Sequence, residues 1–208
     1  MKKITCLITL CLLLFMGNGF AQFGAGFKIK LVSGDVKELK SEKDFNLEFD
    51  FTGLKVGGVD EEDYLNQKVQ EKNKKEPGTG DKFKQAWNDD KEKKYERKFE
   101  ELFNKNISDV KAKASKNNNS AKYTIIVKTD YIEPGFNIGI SRKPAFINVT
   151  IKIVETANPS NVIAKIMLTN VPGQDAGGFD YDAGSRIAEG YAKAGKELAK
   201  YLIKNSYK

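Results

Sequence analysis

The sequence predicts an α+β domain, a layered sandwich in which about three helices pack on a largely antiparallel sheet of about five strands. Two observations lead to this class. Five segments alternate apolar and polar residues with the period of two that is typical of half-buried strands. Three other segments repeat apolar residues at helical spacing, and the elements follow one another in the order β-β-α-α-β-β-β-α.

The amino-terminal part of the domain, residues 22–113, holds two predicted strands and two predicted polar helices. The strands are "FKIKLVSGD" and "DFNLEFDFTGLKV", in which every second residue is apolar. Residues 60–75 have a very polar helical pattern, and a longer helix follows over about 81–106. We interpret the apolar stripe of the longer helix as a face packed on the sheet; it consists of Phe83, Trp87, Tyr95, Phe99, Leu102 and Phe103.

The carboxy-terminal part, residues 122–208, is predicted to be a three-strand meander closed by a helix, after a surface loop at 114–121. The first strand ends at Pro134-Gly135, a turn signal. Small residues along the last helix, about 183–205, predict a close approach of its backbone to the sheet. The predicted buried faces of the first two strands are Tyr123, Ile125, Val127, Thr129 and Tyr131, and Ala145, Ile147, Val149, Ile151 and Ile153.

The first residues of the chain have the pattern of a secretory signal peptide. Lys2 and Lys3 precede an apolar run, and small residues at Gly19 and Ala21 predict cleavage after Ala21. We therefore expect a signal peptide at 1–21, a single domain at 22–208, and a periplasmic, outer-envelope or extracellular protein; an uncleaved anchor is the alternative. The formal net charge of +7 becomes +5 when the two lysines leave, since 7 − 2 = 5.

The composition narrows the chemistry of the mature chain. Cys6 and Cys11 both lie in the predicted signal peptide, and the sequence has no histidine. Thiolate nucleophiles, imidazole bases and Cys/His zinc sites are therefore excluded, and we predict no cofactor and no metal. Basic and acidic residues alternate in "DKEKKYERKFEE", which indicates a solvated mixed-charge helix face and not a nucleic-acid partner.

The stretch "VPGQDAGGFDYDAGSR" brings three aspartates together with glycines, which raises the question of a calcium loop. Calcium takes six to eight oxygen ligands, and the acidic pattern of an EF-type loop is incomplete here. Asp182 stands directly before the closing helix, where an aspartate side chain caps the helix. We expect Asp182 to be that cap, while a metal site or a partner-binding loop involving Asp175, Asp180 and Asp182 are the alternatives.

The connection "EPGFNIGISRKP" is the second candidate site. Phe136, Ile138 and Ile140 are apolar in a surface connection, and Arg142 and Lys143 follow them, which favours a protein or membrane contact. A loop that folds back and buries the apolar residues is the alternative.

Carboxylates near the strand ends form the third candidate, a hydrolase pair drawn from Asp130, Glu133 and Glu155. Glu133 and Glu155 follow adjacent antiparallel strands, whose ends lie on opposite edges of the sheet. We therefore expect these two carboxylates not to meet.

The segments "YTIIVKTDYIEPG", "INVTIKIVETANPSNVIAKI" and "RIAEGYAKAGKELAKYL" follow one another as strand, hairpin and small-residue-rich helix. Over residues 122–203 this order resembles the TolB amino-terminal domain, the curli-export lipoprotein domain and uncharacterised secreted bacterial proteins related to them. The resemblance implies an envelope-associated, non-enzymatic domain that contacts other proteins. The chain lacks the lipid-bearing cysteine of the curli group, so lipid anchoring does not follow.

The predicted function is therefore that of a non-catalytic envelope accessory or binding protein. Its expected partner is another envelope protein, with peripheral membrane contact as an alternative. Two other functions stay open: a carboxylate-based hydrolase acting on an envelope or glycan substrate, and a calcium- or glycan-binding module.

Overall fold

The computed structural model describes residues 26–138, 140–173 and 182–208. Over these residues the chain forms ten strands, of which eight belong to one sheet and two form a small separate hairpin. The strands are β1 (Lys28–Gly34), β2 (Asp44–Asp50), β3 (Lys55–Val56), β4 (Val59–Asp60), β5 (Lys113–Lys116), β6 (Tyr123–Glu133), β7 (Phe136–Asn137), β8 (Arg142–Lys143), β9 (Ala145–Glu155) and β10 (Asn158–Gly173).

Four α-helices accompany the sheet in the described part of the chain. They are α1 (Glu61–Lys75), α2 (Thr79–Asp90), α3 (Arg97–Ile107) and α4 (Ala183–Leu202). A π-helical turn, Lys91–Glu96, joins α2 to α3, and a second one, Ile203–Tyr207, extends α4; single 3₁₀ turns lie at Lys37–Leu39 and Ser108–Val110. The predicted α+β class is confirmed, and the predicted helices at 60–75, 81–106 and 183–205 all correspond to helical segments.

The strand order of the large sheet is β1-β10-β9-β6-β2-β5, with β3 beside β6 and β4 beside β3. The predicted meander is confirmed, because β6, β9 and β10 pair antiparallel in succession. The sequence did not indicate that β2 runs parallel to β5 and to β6. Helices α1 to α3 form the connection between these strands, and a long helical crossover is what allows parallel neighbours.

Two predictions about strands are corrected by this pairing. About five strands were expected, and the short strands β3, β4, β5, β7 and β8 were not. The expected surface loop at 114–121 begins with strand residues, because β5 pairs along the free edge of β2, with Phe45 opposite Ala114. A polar strand of four residues has little alternation of apolar and polar residues, so the sequence of β5 does not predict a strand; its pairing with β2 makes it one.

A β-bulge changes the predicted buried face of β6. Tyr123, Val127 and Thr129 point into the core as expected. The register shifts between Thr129 and Tyr131, so Ile132 is buried and Tyr131 turns to the other face. A bulge inserts one residue and therefore inverts the alternation beyond it. The face predicted for β9, from Ala145 to Ile153, is buried throughout.

The core lies on one side of the sheet, beneath α3 and α4. The glycines of α4 do more than the sequence predicted. Gly190 meets the side chain of Ile147 on the sheet, at 3.4 Å from an ideal Cβ, as expected. Gly195 instead faces α3, where a Cβ would collide with the carbonyl oxygen of Phe99. Small residues on this helix thus serve a helix–helix contact as well as a helix–sheet contact.

The polar helices α1 and α2 bury few apolar residues and are joined by a charged contact. The Trp87 indole N–H donates to Glu61 Oε1 at 2.6 Å, and Lys91 Nζ lies 2.8 Å from the same oxygen. Glu61 is in the first turn of α1, where the helix dipole favours a negative charge.

Two stacked tyrosines join the π-helical turn to α4. The rings of Tyr95 and Tyr191 are nearly parallel, with centroids 5.0 Å apart. The Tyr191 hydroxyl lies 2.6 Å from Thr129 Oγ1, whereas the buried Tyr95 hydroxyl has no hydrogen-bond partner among the described residues. Burial raises the pKa of both phenols, so both stay neutral at every physiological pH.

We expect the two tyrosines to respond differently to removal of the hydroxyl. Tyr95→Phe deletes a buried polar group without a partner, so the free energy of unfolding should stay unchanged or rise by up to about 1 kcal/mol. Tyr191→Phe leaves Thr129 without its partner and should lower the free energy of unfolding by about 1–2 kcal/mol. Urea unfolding of both variants at neutral pH measures the difference; a larger loss for Tyr95→Phe would contradict this account.

Candidate functional site

The hairpin formed by β7 and β8 extends from the end of the sheet between β6 and β9. Its two strands pair Phe136 with Lys143, and the Ile138 N–H donates to the Ser141 carbonyl at 3.0 Å. Ile140 is 98% exposed, Ile138 66% and Phe136 43%. The prediction that these residues are exposed is confirmed, and the alternative that the loop folds back over them is wrong.

Charged side chains fix the base of this hairpin. Glu133, at the end of β6 and only 9% exposed, accepts a hydrogen bond from Lys143 Nζ at 2.7 Å and one from the Gly135 N–H at 3.2 Å. Arg186, buried in the first turns of α4, donates to the Pro134 carbonyl at 3.1 Å and to the Gly135 carbonyl at 3.2 Å. Lys143 is therefore part of the base, while Arg142 is exposed.

The backbone at Gly135 requires glycine. Its φ of +61° lies in the left-handed region, and a Cβ there would collide with the Lys143 carbonyl and lie 2.7 Å from the Ala145 nitrogen. The backbone at residue 135 therefore passes so close to the backbone at residues 143–145 that no side chain fits between them. A fixed base below an exposed apolar tip follows from this geometry.

The negative charge of Glu133 also contributes to the raised pKa of Tyr64 on α1. Burial raises the pKa of Tyr64 to about 12, and the negative charges of Glu133 and Glu71 act in the same direction. Tyr64 therefore stays protonated beside the hairpin base, and its ring packs against Trp87 with centroids 5.3 Å apart.

Of the three aspartates in the acidic stretch, Asp182 lies in the described part of the chain, while Asp175 and Asp180 lie outside it. Asp182 is the N-cap of α4, as predicted. Its carboxylate accepts hydrogen bonds from the Gly184 N–H at 3.3 Å and from the Ser185 N–H at 2.9 Å. A further partner, which no local pattern indicates, is Lys94 Nζ on the π-helical turn, 2.9 Å from the Asp182 carboxylate.

Lys94 lies between two carboxylates of different acidity. Burial would raise the pKa of Asp182, but hydrogen bonds from Lys94 and Ser185 outweigh it and lower this pKa to about 2. Asp90 Oδ1, 3.0 Å from the same Lys94 nitrogen, is more buried, and burial raises its pKa despite the lysine. The cluster, in which one ammonium group contacts two carboxylates, therefore joins α4 to the helical crossover, and the contacts of Asp182 are structural.

We expect Asp182→Ala to lower the free energy of unfolding by about 1 kcal/mol at neutral pH, mostly through loss of the cap. The Asp182 side chain is 56% exposed, so water screens its ion pair with Lys94 and that contribution is small. The folded pKa of about 2 lies below the ordinary value of 3.8. The stabilisation is therefore complete above that value and disappears as the pH falls toward the folded pKa.

Urea unfolding at neutral pH and at about pH 3 compares the two proteins, and the difference between them should shrink in acid. Asp182→Asn is the matched control, since it keeps an acceptor oxygen for the cap and cannot titrate. A wild-type advantage over Asp182→Ala that grows in acid would contradict the assignment.

The carboxylates considered as a hydrolase pair lie far apart. Glu133 is opposite Phe146 at one end of the β6–β9 ladder, and Glu155 is opposite Tyr123 at the other. Ten residues of strand separate these positions, or about 33 Å, whereas a glycosidase pair needs about 5–10 Å. Asp130 accepts a hydrogen bond from Thr150 at 2.6 Å. No group of three potential metal-ligating side chains occurs within the described ranges.

Two charged residues at the hairpin base have structural roles that the sequence does not predict. Glu133 entered only as a hydrolase carboxylate, and Arg186 was not singled out. The sequence contains one signal for Arg186, because this charged residue directly precedes Ile187 on the apolar stripe of a helix. In the structure Arg186 is only 3% exposed. Such a residue requires buried acceptors, although the sequence does not say which.

No protein-family model matches this sequence, and no curated protein matches it. Among solved structures it is similar to the PelC dodecamer from Paraburkholderia phytofirmans, with 12% identity and a TM-score of 0.39 over 81% of this chain and 96% of that chain. A single-residue variant of that dodecamer gives 13% identity and a TM-score of 0.39 over 81% and 97%. Similarity this low supports no inference about the present chain.

Within the described residues, none of the helices combines the length and apolar character required to cross a bilayer.

Proposed function

We propose that this protein is an exported, non-catalytic binding protein of the cell envelope, and that its β7–β8 hairpin contacts another envelope protein. The observation that carries the proposal is the exposure of Ile138 and Ile140 at the tip of a hairpin with a fixed base. Exposed apolar side chains on a structured protrusion are typical of sites that another surface covers.

The base of the hairpin supports a role in recognition. Glu133, Lys143 and Arg186 hold the backbone where it leaves the sheet, so less conformational entropy is lost when the tip is bound. Arg142 lies exposed beside the apolar tip. Arginine next to an apolar anchor is a frequent combination at the centres of protein interfaces.

A protein partner fits the size of this tip better than a lipid bilayer does. Two isoleucines fill a pocket on a partner and can contribute several kcal/mol there, about 1.5–3 kcal/mol each when fully buried. Stable membrane anchoring requires a larger apolar area or a second signal, since even a single myristoyl chain binds membranes only marginally. The distance between Glu133 and Glu155 supports the non-catalytic part of the proposal.

Export is the first part of the proposal to test. The mature protein purified from the cell envelope or culture medium should begin at Gln22, because Gly19 and Ala21 have the spacing that signal peptidase requires. Intact-mass measurement with amino-terminal peptide mapping gives the answer. A protein that retains Lys2 and Lys3 and stays in the cytoplasm would refute export.

For the contact itself, a photo-reactive residue at Ser141, in the hairpin tip, should crosslink the protein to a discrete envelope protein in intact cells. The same residue at Asn161, an exposed position near the start of β10 at the other end of the sheet, is the positional control. Ile138→Ser/Ile140→Ser should abolish the Ser141 crosslink, because the serines remove the apolar anchor without touching the base. Val59→Ser/Val162→Ser, which changes apolar residues 44% and 46% exposed elsewhere, should leave it intact.

Circular-dichroism melting of both double variants controls for folding. A crosslink that survives Ile138→Ser/Ile140→Ser would rule out the hairpin as the contact. Binding of the protein to lipid vesicles that disappears in this variant, with no crosslinked protein, would replace the protein partner by a membrane.

A further inference from the structure

The large sheet has one face without a described helix, which we call the open face. Three neighbouring strands, β9, β10 and β1, present lysines there. Lys152 of β9 is directly opposite Lys165 of β10, and β1 adds Lys30, opposite Met167, and Lys28, opposite Thr169. We call these four lysines the basic half of the open face.

The charges of the basic half are not neutralised by salt bridges within the described residues. None of the four forms an ion pair with a carboxylate in the part of the chain that the structure describes. Lys152 and Lys165 are direct cross-strand partners, and like charges in that position destabilise a sheet. An anion placed between them would relieve that repulsion. The arrangement therefore favours binding of negative charge in a way that scattered surface lysines do not.

The other half of the open face, on β6 and β2, has the opposite character. Its carboxylates include Glu48, Asp50 and Asp130. Asp50 pairs with Lys128 Nζ at 3.4 Å, and Asp130 accepts from the Thr150 hydroxyl at 2.6 Å. The open face is thus divided into a basic half without salt bridges among the described residues and an acidic half whose carboxylates have partners of their own.

We propose that the basic half binds a linear polysaccharide that bears carboxylates. The basic half extends over two strand spacings, about 10 Å, and over about 13 Å along the strands, which suits a few sugar units. The hydroxyls of Ser33 and Thr169 lie on the same face, beside Lys165 and Lys28, and can bond to sugar hydroxyls. Several carboxylates on one chain engage several lysines at once, which strengthens binding without a pocket.

Other polyanions fit this surface less well. A planar anionic membrane laid on the open face would also cover Glu48, Asp50 and Asp130, and so would meet repulsion. An acidic peptide that binds by strand addition needs the free backbone groups of a sheet edge, which a sheet face does not offer, and recognition of acidic motifs by side chains typically uses clusters of arginine, of which the basic half has none among its four lysines. Single-stranded nucleic acid needs aromatic platforms, and two rings on the open face, Tyr131 and Phe146, stack on each other with centroids 5.5 Å apart.

Polygalacturonate, with one carboxylate per sugar, is a direct probe for the full mature protein. Lys152→Gln/Lys165→Gln should weaken its binding roughly tenfold, and binding to wild type should weaken as salt rises. Lys82→Gln/Lys84→Gln on α2 removes the same charge from exposed positions and should leave the affinity unchanged. The melting temperature of Lys152→Gln/Lys165→Gln should equal or exceed that of wild type, since like-charge repulsion is removed.

Three results would overturn the proposal. The first is equal weakening in both double variants, which would indicate an effect of net charge alone. The second is binding of neutral dextran as tight as that of polygalacturonate. The third is tighter binding of poly-glutamate, single-stranded DNA or phosphatidylglycerol vesicles than of polygalacturonate. Ile138→Ser/Ile140→Ser should bind polygalacturonate like wild type, so this surface and the hairpin contact are tested separately.

Discussion

The packing of α4 against the β6–β9–β10 meander and α3 is the interaction on which the rest of this structure depends. Gly190 and Gly195 bring the helix close to Ile147 and to the Phe99 carbonyl. The same helix places Tyr191 against Thr129, sends Arg186 to the hairpin base, and begins at Asp182 beside Lys94. A single amphipathic helix with a small-residue stripe thus connects the core, the crossover helices and the exposed hairpin.

One-sided burial determines where the protein can bind other molecules. Since the described helices pack on one face of the sheet, the other face of β9, β10 and β1 can present charged residues such as Lys152, Lys165 and Lys30 outside the core. The hairpin arises for a related reason. The left-handed turn at Gly135 and the buried charges of Glu133 and Arg186 direct the chain away from the sheet between β6 and β9. The positions of the basic half and of the β7–β8 hairpin therefore both follow from the way in which the core is packed.

Much of this arrangement was readable from local pattern. The alternation from Ala145 to Ile153 gave the buried face of β9, and the position of Asp182 before a helical stripe gave its cap. The predictions were wrong where a partner strand or a backbone irregularity decides whether a segment forms a strand or which of its residues are buried. Alternation cannot show the bulge that buries Ile132, and the polar strand β5 exists because β2 offers it an edge. The exposure of Ile138 and Ile140 was anticipated, but not the charged base beneath them.

Composition and short-range periodicity were enough to predict the α+β class, the meander, the closing helix and the lack of imidazole chemistry, since the sequence contains no histidine. Tertiary structure alone decided that β2 lies parallel to β6, that Lys94 joins Asp182, and that Lys152 and Lys165 face each other. Each of these is a contact between residues distant in the chain. Its geometry follows from strand order and register, which the whole core selects and no local segment contains.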